Sequence, residues 1–383
     1  MNVAAILKVR SVLGATAASC WSYRKYYYAA LGFLVFFLAF HLVTWLGFTR
    51  DLLTDRYDGG DLSRLGYLPG SKHYRKTFVD LPKRHQEMRD YKGQKIDMLT
   101  IGDSFSFGGG RGKNPFYQDY IASINDITVL NATPYPADDL VMGCSPLSTL
   151  AVLDNSGYLD IIKPRYVLIE SLETLVPARF GRPFGWGWTD SLPNVIRHYD
   201  GVKDVWSKLP KHTFVNDGNF DFYWRNLMYC FSDSAFGHSV HRFSLKRPLF
   251  SVRKDDELLV FQYDIRITPY MTAQKINEVN DTMNRIAEAL KRKGIRLIFM
   301  PVVSKYDLYE EDIVDNPYPK CLFFERLRPL RKKYLFIDTK AILKEELRKA
   351  EKDIFFADDT HWSWKASQAV FDKVRFPKGT PGG

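Results

Sequence analysis

The most restrictive feature of the sequence is the segment 26–48, which contains no Lys, Arg, Asp or Glu. A helix needs about 20 apolar residues to cross a bilayer, so this segment is long enough to span one. A cleaved signal peptide and a buried core helix are the alternatives. A signal peptide has an apolar region of only about 7–15 residues before a small-residue cleavage site, and the sequence "WLGFTR" offers no such site. We therefore expect a transmembrane helix that is retained.

Charges on the two sides of this segment predict its orientation. The residues before it are basic without any acid, whereas those after it are mixed in sign; the basic residues are Lys8, Arg10, Arg24 and Lys25, and the mixed ones are Arg50, Asp51, Asp55 and Arg56. Positive flanks stay in the cytoplasm. We expect a single-pass protein of the inner (cytoplasmic) membrane, with the N-terminus in the cytoplasm and residues from 50 onward periplasmic or extracellular.

Short apolar runs beyond residue 95 indicate the fold class. They lie at 96–101, 127–131, 166–170, 295–300 and 334–337, and continuous apolar runs of this length are typical of fully buried strands. Apolar residues recur every three or four positions between Thr272, a candidate N-cap, and Gly294, a candidate C-terminal stop. Strands that alternate with helices predict an α/β protein with a parallel sheet covered on both faces.

We divide the chain accordingly. Residues 1–25 form a cytoplasmic tail, 26–48 the transmembrane helix, 49–95 a linker and lead-in, and 96–383 one catalytic domain. An aromatic-rich insertion at about 181–258 interrupts this domain. An inserted helical subdomain that packs its own aromatics is the simplest reading of the insertion. Aromatic faces also suit sugar rings, the membrane interface or a membrane partner.

Ser104 is the candidate nucleophile. It follows the first apolar run in "IGDSFSFGGG", so it is expected at the carboxyl end of a strand, where ligands bind in open parallel sheets. A polar turn with a flexible glycine run is the alternative, and the spacing does not match a phosphate-binding loop.

His361 is the candidate base. It lies in "FADDTHWSW" near the end of the chain, and Asp359 is close enough in sequence to fix the imidazole tautomer and stabilise the imidazolium. Asp358 competes for that orienting role, and a polar turn remains the alternative. His238 and His241 are spaced for a metal site on a helix, but no carboxylate or cysteine at ligand spacing supports one, so we predict no metal and no cofactor. Cys144, Cys230 and Cys321 permit at most one disulfide in the exported part.

The motifs "IGDSFS" and "DDTHW" resemble those of the SGNH (GDSL-like) hydrolase superfamily. "DTHW", "KPRYVLIESLETLVPARF" and "GIRLIFMPVVSKYDLY" resemble its membrane-associated branch of alginate O-acetyltransferase-like proteins, which O-acetylate polysaccharides. The resemblance covers roughly residues 96–180 and 259–374. It implies a flavodoxin-like three-layer α/β/α sandwich and a Ser104–His361–Asp359 triad.

The oxyanion hole is the part of the site that matches the superfamily least. The usual glycine after the second strand and asparagine after the third correspond here to "NATPYP" and "ESLETL". The Ser104 backbone amide is then the main donor, and Gly102 and Asn131 are the remaining candidates for oxyanion or substrate binding.

These observations predict an O-acyltransferase that transfers acetyl groups to a cell-surface polysaccharide or exopolysaccharide through an acyl-serine. Its partners would be the membrane, the polysaccharide acceptor and a multi-spanning membrane O-acyltransferase that supplies the acyl group. The alternatives are an SGNH carbohydrate esterase or deacetylase and, in another class, a catalytically weak assembly or docking protein. The formal charge of +10 is spread along the chain rather than clustered, so we expect no nucleic-acid partner.

Overall fold

The structure is a computed structural model that describes residues 3–54, 58–75, 79–135, 145–181, 187–201 and 212–377, with only the backbone of residues 3–22. The chain divides into two compact units. One comprises Met1–Tyr57 with Lys208–Arg225, and the other comprises Asp58–Ser207 with Asn226–Gly383. Part of the aromatic insertion therefore groups with the N-terminal helix. Cys144, one of the three cysteines that follow the N-terminal apolar segment, lies outside the described residues.

The strands are β1 (Gln86–Glu87), β2 (Met98–Ile101), β3 (Val129–Ala132), β4 (Tyr166–Leu172), β5 (Val240–Ser244), β6 (Glu257–Phe261), β7 (Arg296–Val302) and β8 (Leu335–Phe336). The helices are α1 (Val3–Thr44), α2 (Arg50–Leu52), α3 (Asp61–Leu65), α4 (Tyr117–Asn125), α5 (Pro146–Asn155), α6 (Tyr158–Ile162), α7 (Val176–Phe180), α8 (Leu192–Gly201), α9 (Gly218–Met228), α10 (Gln262–Ile267), α11 (Ala273–Arg292), α12 (Lys305–Tyr309), α13 (Phe323–Leu327), α14 (Thr339–Arg348) and α15 (Trp364–Lys373).

The N-terminal unit is built on one long helix. Helix α1 continues through a π-helical turn, Trp45–Thr49, into α2. Within the described residues, Tyr23–Leu52 is the one helix long and apolar enough, by length and composition, to cross a membrane. The first part of α9 packs against this helix.

The larger unit contains a parallel sheet. In the described part of the chain six strands pair in the order β1-β3-β2-β4-β7-β8, all parallel, and β5 and β6 form a separate antiparallel pair. Helices cover both faces: α15 contacts both α4 and α14 in one layer, and α7 contacts both α5 and α11 in another. The α/β prediction is confirmed.

The apolar runs became strands for the predicted reason. Met98, Leu99 and Ile101 of β2 are completely buried, as expected for a central strand covered on both faces. Helix α11 begins where Thr272 accepts a hydrogen bond from the Lys275 amide at 3.3 Å, as the N-cap prediction required.

The strand order positions the site. From β2 the chain moves to β3 on one side, and then crosses to β4 on the other side of β2. Such a reversal opens a crevice at the carboxyl ends of the neighbouring strands, where ligands bind in open α/β sheets. Ser104 follows β2 directly, so its loop begins at this crevice.

Candidate active site

Ser104, His361 and Asp359 lie in one hydrogen-bonded chain. His361 Nε2 is 2.7 Å from Ser104 Oγ, and His361 Nδ1 is 2.6 Å from Asp359 Oδ1. The same Asp359 oxygen accepts the backbone amide of His361 at 2.9 Å, which fixes the local turn. The two-residue spacing of this acid and histidine therefore folds the carboxylate back onto the imidazole. Nδ1 donates to Asp359, so the neutral ring presents Nε2 as a proton acceptor to the serine.

The charges of Asp359 and His361 favour protonation of the imidazole. Burial disfavours the charged form of His361, but the adjacent Asp359 carboxylate outweighs it and raises the pKa of His361 above its ordinary value. Burial likewise opposes ionisation of Asp359, yet the imidazole, and then the Arg75 guanidinium, lower the pKa of Asp359 well below its usual range. Asp359 thus stays a carboxylate throughout the neutral range, as an orienting acid requires.

The adjacent acid, Asp358, has a different set of partners. Its Oδ2 accepts backbone amides from Gly60 at 2.9 Å and His73 at 2.7 Å, and its Oδ1 pairs with Arg75 at 2.6 Å. Arg75 also binds Asp359 Oδ2 at 2.8 Å. The structure places the imidazole on Asp359, whereas Asp358 ties its own loop to residues 60–75.

Arg75 was not anticipated from the sequence, because it lies in the stretch interpreted as a linker. Its pairing with Asp359 joins residues 284 positions apart, which no local pattern predicts. Its guanidinium also lies 4.4 Å from the centre of the Phe356 ring and donates to the Gly110 carbonyl at 3.1 Å. One side chain therefore links the lead-in, the serine loop and the histidine loop.

Lys305 is a second functional candidate that sequence reasoning missed. Its ammonium is buried and donates to the carbonyls of Phe356 at 2.7 Å, Ala357 at 2.8 Å and Asp359 at 3.1 Å. Burial lowers the pKa of Lys305 to about 7. The only signal in the sequence was a lysine three residues after the end of β7. It braces the backbone that carries the candidate orienting acid.

Asp61 approaches the histidine from helix α3. Its carboxylate accepts the Thr360 amide at 2.8 Å and the Thr360 hydroxyl at 2.5 Å, and it lies 4.0 Å from His361 Nδ1. Burial and the charge of Asp359 raise the pKa of Asp61, whose carboxylate stays partly open to solvent, to about 6. The stretch interpreted as a lead-in thus supplies part of the surroundings of the imidazole.

The three consecutive glycines are explained by backbone conformation at one position and by close approach to the histidine loop at the other two. Gly108 has φ +69°, which favours glycine. A Cβ on Gly109 would lie 2.1 Å from His361 Nε2, and a Cβ on Gly110 would lie 2.9 Å from the Phe356 ring. The glycine run therefore lets the serine loop approach the histidine loop closely, and a plain flexible turn does not account for it.

The acid before the serine holds the loop on strand β4. Asp103 Oδ2 accepts the Leu172 amide at 2.9 Å and pairs with Arg179 at 2.6 Å. Glu170 Oε2 accepts the Asp103 amide at 2.9 Å and the Ser106 hydroxyl at 2.8 Å. Burial and the charge of Asp103 raise the pKa of Glu170 well above its ordinary value. Burial opposes the ionisation of Asp103 too, but the Arg179 guanidinium outweighs it and lowers the pKa of Asp103.

Gly102 and Asn131, the other predicted site residues, lie beneath the serine loop. A Cβ on Gly102 would be 2.1 Å from Ser106 Oγ and 2.2 Å from Glu170 Oε2, so the chain passes too close for a side chain. Asn131 is completely buried; its Nδ2 donates to the Ser106 carbonyl at 3.0 Å, and its Oδ1 accepts from Gln118 at 3.0 Å. Both ends of the Asn131 amide are thus occupied within the domain rather than presented to a ligand.

Two clusters in the described part of the chain bring carboxylate, imidazole or thiol groups close enough to share a cation: Asp61–Asp359–His361 and Glu173–Asp307–Cys321. In each, a side chain of this protein supplies the positive charge. Arg75 pairs with Asp359, and the Lys340 ammonium lies 2.6 Å from Asp307. His238 and His241, considered as a metal-ligating pair on a helix, do not lie on one helix. His241 lies on strand β5, so it does not share a helical face with His238.

The fold and this arrangement define an α/β protein with a serine–histidine–carboxylate chain at the carboxyl edge of a parallel sheet, the class to which SGNH-type hydrolases belong. Residues 260–375 match the family model described as "SGNH hydrolase-like domain, acetyltransferase AlgX". The predicted resemblance is confirmed over this range, which includes the histidine loop. A search of the curated proteins gives no match. The match supports an SGNH-like acetyltransferase family and suggests an esterase or acyltransferase.

Proposed function

We propose that the protein is a membrane-anchored, extracytoplasmic O-acyltransferase that moves acetyl groups onto a cell-surface polysaccharide or exopolysaccharide through an acyl-Ser104 intermediate. The observation that carries this proposal is the unbroken chain from Ser104 Oγ through His361 to Asp359. The acetyltransferase description of the matched family supports the reaction class. The apolar helix Tyr23–Leu52 supports the anchor.

In the first half-reaction Ser104 Oγ attacks the carbonyl carbon of an acetyl donor while His361 Nε2 takes the serine proton. The bond between the acetyl carbon and the donor oxygen breaks, and the imidazolium returns the proton to the departing oxygen. Asp359 stabilises the transient imidazolium. In the second half-reaction a sugar hydroxyl gives its proton to His361 and attacks the acetyl-serine, which restores the Ser104 hydroxyl.

The location of the domain determines the kind of donor. Acetyl-CoA is a cytoplasmic metabolite, so an exported enzyme needs the acetyl group passed through the membrane. A multi-spanning membrane O-acyltransferase is the partner that would supply it. The four basic residues of the tail account for four of the ten net positive charges, so the part of the chain beyond residue 25 carries +6. This positive charge suits an anionic cell envelope.

A carbohydrate esterase would use the same three residues with water as the acceptor. Transfer prevails where a bound sugar hydroxyl is held against the acyl-enzyme, because effective molarities of well-oriented groups reach roughly 10⁵ M or more. The occupied amide of Asn131 favours a third possibility, a docking protein of low activity, since it leaves fewer donors for an oxyanion.

The experiment uses the full chain in detergent with an activated acetyl ester and a panel of oligosaccharides. We expect an acetyl group on Ser104 by peptide mass spectrometry, and acetylated sugar when an acceptor is added. Ser104→Ala should abolish both, whereas Ser123→Ala, a serine on helix α4, should abolish neither. Free acetate with no acetylated sugar for any acceptor would establish the esterase. Absence of the Ser104 adduct in a folded protein would leave the docking role.

A further inference from the structure

A part of the aromatic insertion packs against the apolar N-terminal helix. Phe220 of α9 stacks on Phe40 with ring centres 4.9 Å apart, and Phe222 stacks on Phe48 at 4.9 Å. Asn219 lies between these rings. Residues 212–225 and the helix Tyr23–Leu52 therefore share one packed interface within the N-terminal unit.

The polar centre of this interface is Asn219. Asn219 is completely buried; its Nδ2 donates to His41 Nδ1 and to the Phe214 carbonyl, each at 2.8 Å. Its Oδ1 accepts from the Thr49 hydroxyl. Hydrogen bonds between helices are a recognised means of fixing one membrane helix to another segment. The polar groups on this side of α9 are used inside the protein.

The aromatic rings of α9 that border this contact are only partly covered, and they form an exposed aromatic stripe along the helix. Phe220, Tyr223 and Trp224 follow the helical spacing of three and four, and their exposed fractions are 53%, 45% and 56%. Phe214 and Val215, just before the helix, are also exposed. A contiguous exposed apolar patch of this kind marks an interaction surface.

The position of the contact along the N-terminal helix identifies the occupant. Phe40 lies eight residues before Phe48, which ends the uncharged segment, and at 1.5 Å per residue this is a depth of about 12 Å. If residues 26–48 span the bilayer, the rings stacked on Phe40 lie below the headgroups of the outer leaflet. The stripe then continues the lipid-facing surface of the helix itself, where Phe36, Val43 and Leu46 are exposed.

We propose that residues 213–225 are a second membrane-contacting element, whose aromatic stripe lies in the outer-leaflet interface and contacts phospholipid. This inference rests on the membrane anchor of the proposed function and is independent of the acyl-transfer chemistry. The ring centre of Tyr223 lies 5.7 Å from that of Phe40 and 6.3 Å from that of Phe48, so the stripe extends from Phe40 toward the end of the uncharged segment, where the interface enriched in Tyr and Trp is expected. A helix held in this way lies on the membrane without crossing it.

The test places a photoreactive p-benzoylphenylalanine in the full chain, reconstituted in vesicles of phosphatidylethanolamine and phosphatidylglycerol. The probe replaces Tyr223 or, in a second variant, Trp224. Replacement of Phe36 is the positive control for the bilayer-spanning helix. Replacement of Tyr270, an aromatic residue of the larger unit that is 69% exposed, is the matched solvent-facing control.

After irradiation we expect phospholipid adducts at 36, 223 and 224, with a yield at 223 about tenfold or more above that at 270, as an interfacial position requires. Adducts at 36 but not at 223 or 224 would overturn the inference and leave the anchor intact. Absence of a phospholipid adduct at position 36 as well would contradict the membrane anchor. Acetylation of Ser104 reports separately on the acyl-transfer chemistry. A protein adduct at 223 in native membranes, in place of lipid, would assign the stripe to a membrane-protein partner and overturn the lipid proposal.

Discussion

Replacement of Gly109 by alanine should disable the site by displacing the imidazole. The added methyl carbon would lie 2.1 Å from His361 Nε2 and 2.5 and 2.6 Å from the ring carbons Cδ2 and Cε1. Because non-bonded contact begins at about 3.5 Å, the ring or the loop must move by about 1.4 Å. The Nε2 to Ser104 Oγ distance of 2.7 Å cannot survive a shift of that size as a well-aligned hydrogen bond.

The expected loss of turnover follows from that displacement. A misplacement of about 1 Å costs about 10²-fold, and complete loss of one member of a triad costs about 10⁴-fold, so turnover should fall between these limits. The assay compares hydrolysis of an activated acetyl ester by Gly109→Ala with that by Gly70→Ala. A Cβ on Gly70 meets nothing nearer than the Lys254 side chain at 4.0 Å, so this control should keep its activity.

Thermal unfolding of both variants separates a displaced imidazole from a failure to fold. We expect both to unfold cooperatively. Turnover by Gly109→Ala equal to that of Gly70→Ala, in proteins of similar melting temperature, would refute the account of the glycine run. It would also show that the close approach of the two loops has no bearing on the reaction.

Two further predictions concern the charged groups. Asp359→Asn should lower turnover about 10⁴-fold. The Asp359 carboxylate raises the pKa of His361, so its removal should lower that pKa and shift the acid limb of the residual pH–rate profile to lower pH. Asp358→Asn should leave that limb in place and lower the free energy of unfolding, so a reversed pattern would exchange the two roles. At the sheet edge, Asp119 and Glu87 outweigh burial and raise the pKa of His85 to about 9; this pairing stabilises the fold fully below the ordinary pKa and is lost as pH rises through about 9. Urea unfolding of wild type and His85→Gln from pH 6 to pH 10 should show an alkaline loss of up to about 3 kcal/mol in the wild type only, and equal losses in both would contradict the assignment.

The sheet could be predicted because a central parallel strand is buried on both faces and therefore forms a continuous apolar run. All five runs became strands of this sheet. Strand β1, Gln86–Glu87, could not be found in this way, because it is a short, polar edge strand with no apolar signal. Helix α11 was predictable because one apolar face and two terminal signals agree.

The candidate site could be predicted only as far as local sequence reaches. Ser104 is marked by the strand before it, and Asp359 is close enough to His361 to fold back on it. Asp358 and Asp359 are adjacent residues of the same type, and only their long-range partners distinguish them. Arg75 bonds across 284 residues and Lys305 to carbonyls 51 to 54 residues away, so neither leaves a pattern in its own neighbourhood.

The separation of Ser104 and His361 by 257 residues has a consequence for biogenesis. A chain emerges from the ribosome from its N-terminus, so Ser104 is synthesised long before His361. The contacts that hold the histidine loop also join the two ends of the larger unit, and contacts of high sequence separation form late in folding. The hydrogen bond between Ser104 and His361 can therefore form only when the last part of the domain has been synthesised and has docked on the rest.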